Sequence, residues 1–160
     1  MSTVFDNDPE LRSLVEYFES LSGGKPTFDS FLKLEDASPD LDTACLRFKM
    51  RDDFLGNLVY RILHGGLISA VLDTVGGAAV FMNVYKQVKG KPREVQVKHL
   101  SKNATIDLRV DYLRPGRGEE FIATGWILRS GRKVAVTRME LRNESGDLIA
   151  VGTGCYSIGP

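Results

Sequence analysis

At 160 residues the chain has the size of one domain, large enough to bury a core and too small for two comfortable ones. Lys plus Arg (21) balance Asp plus Glu (21), so no net field draws the protein toward nucleic acid or an anionic membrane surface, and neither is expected as a partner. Two cysteines, Cys45 and Cys155, are too few for a disulfide framework or a metal-ligand cluster; the opening decapeptide, MSTVFDNDPE, lacks the basic and apolar regions of a signal peptide, and together these point to a reducing cytoplasm.

Asp8 before Pro9 reads as an N-cap and first helical turn, and Leu11, Leu14, Val15, Phe18 and Leu21 recur at helical spacing until Gly23 and Gly24. Residues 8–22 are expected to form a short amphipathic helix appended to the rest. Residues 28–34 and 41–50 read as strands, the second alternating Ala44, Leu46, Phe48 and Met50 against Cys45, Arg47 and Lys49, with a turn at Ser38-Pro39-Asp40.

After Gly65 the period becomes helical. Leu67, Ala70, Val71, Thr74, Val75, Ala78, Phe81 and Met82 share one face, which Ile68 and Leu72 widen, so a buried helix is expected. The run from 67 to 84 resembles a membrane span in hydropathy, but it is short and carries Asp73, Gly76 and Gly77, and no membrane insertion is expected. Residues 90–103 are basic, contain Pro92 and read as a loop. From Ala104 the alternation is strict, with Ile106, Leu108, Val110 and Tyr112 opposing Thr105, Asp107, Arg109 and Asp111 until Leu113-Arg114-Pro115-Gly116. Strands at 120–129, 133–142 and 148–158 complete an antiparallel meander. The class is α+β, with a long helix lying on one face of an antiparallel sheet.

The chemistry-bearing residues cluster on the buried helix and its entry, "LHGGLISAVLDTVGG" (63–77). Gly65 and Gly66 stand where backbone N–H groups lack intrahelical partners and carry partial positive charge. A developing oxyanion placed there gains about 2.7 to 4 kcal/mol, judged by removal of such donors in other enzymes. Asp73 has small neighbours at three and four residues, Ser69, Ala70, Gly76 and Gly77, so it sits in a trough where a substrate can lie, and a perturbed carboxylate in a cleft is a candidate general base or nucleophile. Eight residues of helix separate Gly65 from Asp73, about 12 Å of rise, whereas one reacting carbonyl must touch both groups. Two helices antiparallel across a two-fold axis would bring Gly65 of one copy beside Asp73 of the other.

These residues resemble the hotdog-fold acyl-CoA thioesterases of the PaaI-like branch: His64-Gly65-Gly66, Asp73 nine positions after the histidine, "ATIDLRVDYLRPGR" (104–117) and "GDLIAVGTGCY" (146–156). The resemblance covers about residues 45–158. It implies a sheet wrapped round a long central helix, a homodimer or dimer of dimers with sites at the subunit interface, an acyl-CoA substrate, and no metal or organic cofactor. It further implies that the Gly65 N–H polarises the thioester carbonyl while Asp73 of the partner copy attacks it or activates water. Thr105 occupies the place of a hydroxyl that holds the water, although strict alternation puts it on the face opposite Ile106 and Leu108. Members often carry an asparagine six residues before the histidine; here Leu58 is there, and Asn57, one residue earlier, is the candidate helper. His64 would orient the entry loop, and Gly66 would contact substrate. Arg129, Arg132 and Lys133, or Arg114 and Arg117, are candidates to meet the coenzyme's phosphates. A hydratase of the same fold would need a differently placed histidine and a Phe-Pro-Gly entry. The alternative from another class is a hotdog module that binds acyl-CoA as a sensor without turnover; residues 8–22 form one helix, not a DNA-binding pair.

Overall fold

Asp8 caps its helix as its position predicts: its carboxylate accepts the Leu11 N–H at 3.1 Å, and Pro9 fills the first position. In the computed structural model, which describes residues 3–159, this helix is α2 (Pro9–Ser20), preceded by the single turn α1 (Val4–Asn7). Leu11 and Leu14 are fully buried, so the helix packs by its apolar stripe.

Two segments depart from the expected pattern. Residues 28–34, expected as a strand, form the short helix α3 (Phe28–Leu32). Thr27 and Ser30 make a reciprocal capping box, Thr27 Oγ1 accepting the Ser30 N–H at 3.2 Å and Ser30 Oγ accepting the Thr27 N–H at 2.9 Å, and Lys33 ends the helix in the left-handed region at φ 52°. Residues 90–103, expected as a loop, contain α5 (Arg93–Leu100). Pro92 stands at its N-cap, where proline is tolerated, and buried Gln96 donates to Val88 O at 3.1 Å, fastening α5 to the preceding helix.

β1 (Glu35–Asp36) leads to β2 (Thr43–Lys49), shorter than the expected 41–50 because Asp40 Oδ1 accepts the Asp42 and Thr43 amides, both at 2.8 Å, and holds the chain in a turn. A 3-10 turn at Asp52–Phe54 and a ribbon of β3 (Leu55–Asn57) with β4 (Ile62–Leu63) deliver the chain to α4 (Gly65–Val88), 24 residues long. Then β5 (Ala104–Tyr112), β6 (Glu120–Ser130), β7 (Val134–Asn143) and β8 (Leu148–Ser157) complete a six-stranded antiparallel sheet in the order β1-β2-β6-β7-β8-β5. The strand formed last in the meander is thus followed spatially by β5, which closes the order as an edge.

α4 lies against this sheet. Its buried face is rotated from the expected one: Leu67, Ile68, Val71, Leu72, Val75, Gly76, Ala79 and Val80 are buried, whereas Ala70, Thr74, Ala78 and Phe81 are half-buried, the last three on the side toward the N-terminal helices. The approach to the sheet is close enough that a Cβ at Gly125 of β6 would lie 2.9 Å from Val75 O. α4 is long and apolar enough to cross a membrane, but here it is the core helix of the α+β fold.

Candidate active site

β5 brings a hydroxyl to Asp73 by breaking its own alternation. The register with β8 slips between Thr105 and Asp107, leaving Ile106 bulged and 58% exposed, so Thr105 shares a face with Leu108 instead of opposing it. Thr105 Oγ1 lies 3.0 Å from Asp73 Oδ1 and 3.2 Å from Oδ2, and donates to the carboxylate. Thr105 therefore lies on the opposite face from the one strict alternation predicts.

A second donor escaped the sequence reading. Tyr156 on β8 is 1% exposed, and its hydroxyl lies 3.1 Å from both Asp73 Oδ1 and Asp73 O. Its ring occupies a slot that glycines make: a Cβ at Gly76 would fall 2.3 Å from the hydroxyl, and one at Gly154 would fall 2.6 Å from the ring. Gly76 is therefore covered by Tyr156 and is not part of an open trough; Ser69, Ala70 and Gly77 remain half-buried. Burial, then the adjacent Asp73 charge, hold the phenol's ionisation well above the usual tyrosine range, so Tyr156 is a neutral donor. The sequence signal was present in Gly152, Gly154 and Tyr156, which share the inner face of β8.

At the helix entry His64 is the N-cap. Its Nδ1 accepts the Gly66 N–H at 2.9 Å, so the ring proton of the neutral form sits on Nε2, and its own N–H donates to Phe54 O at 2.8 Å. The Gly66 amide is thus directed at the His64 ring. Gly65 differs: among the described residues its N–H has no acceptor, while its carbonyl accepts from Tyr112 Oη at 2.9 Å and Ser69 Oγ at 3.2 Å. Gly65 and Asp73 lie on one uninterrupted helix, so the 12 Å separation expected from helix rise stands.

The remaining candidates have no hydrogen bond to Asp73 of their own chain among the described residues. Asn57 Oδ1 accepts the Val59 and Tyr60 amides at 3.0 and 3.1 Å and shapes the exposed 58–60 loop. Arg129, Arg132 and Lys133 are exposed on the β6–β7 hairpin, which is tied to α4 by Asn83 Nδ2 donating to Ser130 Oγ at 3.0 Å, ten residues beyond Asp73. Arg114 donates to Leu148 O at 3.0 Å, and Arg117 lies over the Tyr60 ring at 5.8 Å, near the entry to α4. No group of three or more His, Cys, Asp or Glu suited to a metal occurs among the described residues.

A carboxylate held by two neutral hydroxyls, an amide at the start of the same helix that lacks an acceptor among the described residues, and an antiparallel sheet packed on that helix together define a hotdog thioesterase framework. The family model of the thioesterase superfamily matches residues 60–150. The chain is 42% identical over 132 residues to the medium/long-chain acyl-CoA thioesterase YigI of Escherichia coli K12, covering 82% of this chain and 85% of that protein. It is 27% identical over 99 residues to human acyl-coenzyme A thioesterase 13, covering 61% of each. A crystal structure of a Shewanella oneidensis protein related to the thioesterase superfamily superposes with a TM-score of 0.82 at 40% identity, covering 93% of this chain and 97% of that one. The chain belongs to the thioesterase superfamily and is a thioester hydrolase.

Proposed function

We propose that the protein hydrolyses medium- or long-chain acyl-CoA to free acid and coenzyme A, with each reaction centre built from two copies of a single-domain chain. The observation that carries this reading is the Asp73 carboxylate clasped by Thr105 and Tyr156 on the same helix whose Gly65 N–H has no acceptor among the described residues. The relatedness to an acyl-CoA thioesterase over most of both chains supports the substrate class. Asp73 either attacks the thioester carbon, giving an anhydride that water then cleaves, or takes a proton from the water that attacks. In both cases the carbonyl oxygen gains negative charge beside the partner copy's α4 N-terminus, the carbon–sulfur bond breaks, and the coenzyme leaves as a thiolate that takes up a proton. Thr105 and Tyr156 hold the carboxylate in place. His64 shapes the entry, and the cations Arg114 and Arg117 stand nearer that entry than the hairpin trio. The dimer forms along β5, whose outer edge has no strand partner among the described residues; Ile106 and Tyr112 of β5 and Leu113 just after it are exposed.

The test measures thiol release across a panel of acyl-CoA lengths. Asp73→Asn is expected to lower kcat by about 100-fold or more, and Gly65→Pro, which deletes one amide at a position where proline suits the helix, by a similar factor. Mixing the two inactive variants tests the sharing. Random pairing makes half the dimers mixed, each with one intact centre, so about a quarter of wild-type activity returns. No recovery in verified mixed dimers refutes the shared site, full turnover by Asp73→Asn refutes the acid, and a wild type that binds acyl-CoA without thiol release is a sensor.

A further inference from the structure

A cavity of about 1030 Å³ lies between α4 and the N-terminal segment, at the upper end of the volumes usual for small-molecule sites. Its apolar wall includes Phe18 and Leu21 from the α2 side, Leu34 after α3, and Ala78, Phe81 and Met82 of α4. It begins one residue from Asp73, with Thr74, Gly77 and Asn103 in its lining. Asn103 Nδ2 donates to Gly77 O at 2.9 Å, and the strand continues two residues on to Thr105 and its bond to Asp73. The far end is marked by Phe18 and Phe81, in edge contact at 5.8 Å between ring centres. A second cavity of about 800 Å³, beside β2 and β6, has no residue of α4 in its lining and many charges, including Arg47, Lys49, Arg51 and Glu120. The first carries its charges, Glu19, Lys25, Asp29 and Lys33, on the N-terminal segment, is apolar along α4, and reaches Thr74, the helix neighbour of Asp73.

Resting on the hydrolase reading above, we infer that this cavity receives the acyl tail of the substrate, and that α2 and α3 make it a chain-length gauge whose stop is the Phe18–Phe81 pair. The tail runs along α4 from Asp73 toward Phe81, about 12 Å of helix rise. An extended alkyl chain with bonds of about 1.5 Å advances about 1.25 Å per carbon, so the gauge holds about ten carbons. Ala78 stands about 7.5 Å along the same path, where a larger side chain blocks all but about the first six carbons.

The chain-length profile of kcat/KM tests this. In the wild type, kcat/KM rises about fourfold per added methylene, as burial of each CH2 group dictates, and levels off near ten carbons. Ala78→Phe moves the plateau to about six carbons, lowering the ratio of decanoyl- to hexanoyl-CoA turnover at least tenfold; Phe81→Ala moves it to longer chains. Thermal melts accompany each variant, and Ala78→Leu replaces Ala78→Phe should the latter unfold. Opposite displacements of the plateau support the gauge. A profile unmoved in folded variants of an active enzyme overturns it while leaving the hydrolase reading intact; a wild type inactive on every acyl-CoA in the panel overturns both.

Discussion

Ionising a phenol buried against a carboxylate would set two negative charges side by side away from water, and two tyrosines here are in that position. Burial first, and Asp73 second, raise Tyr156; burial first, and the Asp8 bond second, raise Tyr85, whose hydroxyl donates to Asp8 Oδ1 at 2.9 Å. In the unfolded chain both groups lose their protons near pH 10. Their contribution to stability is therefore complete below about pH 10 and is lost as pH rises toward the higher folded-state values. Thermal midpoints are expected to fall steeply above about pH 10, and less steeply in Tyr156→Phe, which has one such group fewer. At neutral pH the same variant deprives Asp73 of one of its two hydroxyl donors, and kcat is expected to drop about tenfold with KM little changed, in keeping with hydrogen bonds to charged groups. An unchanged kcat makes Tyr156 a packing residue alone.

At the scale of elements, one carboxylate both caps the N-terminal helix and ties it to α4. Asp8, 7% exposed, caps α2, accepts from Tyr85 Oη, and pairs with Lys89 Nζ at 2.6 Å. Burial would raise its ionisation, but the Lys89, Leu11 and Tyr85 bonds outweigh it and hold the carboxyl below the usual range. Asp8→Ala is expected to cost about 2 to 3 kcal/mol, the sum of a lost cap and a lost bond to a charged acceptor, with little from half-exposed Lys89. Urea unfolding measures it through a lower midpoint. This cap was readable as Asp-Pro before an apolar period, and α4 and the meander were readable because their repeats run for many residues. α3 and α5 were not. Five apolar-rich residues at 28–32 fit either period, and the Thr27–Ser30 box that decides for a helix is a matter of two hydroxyls. α5 hides behind Pro92, which stops a helix from inside but starts one from its edge. At the site, Gly65 and Asp73 were visible as residue types out of place. The bulge at Ile106, which turns Thr105 toward Asp73, depends on pairing with a strand distant in sequence and has no local pattern; the slot that seats Tyr156 shows locally only as Gly152, Gly154 and Tyr156 on one face, and its other wall, Gly76, lies far away in the sequence.

For the whole molecule, the proposed pairing along β5 sets the association state and the activity together. An edge strand is blocked most simply by a charge on its exposed surface. Ile106→Lys is expected to leave the thermal melt of the protomer recognisable, shift light-scattering mass from dimer to monomer, and abolish thiol release; a dimeric, active variant would remove β5 from the interface. The seating of α4 on the sheet has a consequence for how such an enzyme fails. With Val75 O against Gly125 and Tyr156 wedged between Gly76 and Gly154, the helix has no room to slide, and the wedge also grips the acid. Whatever loosens the core disarms the reaction in the same motion, so the working temperature of the centre and the melting of the scaffold form one limit.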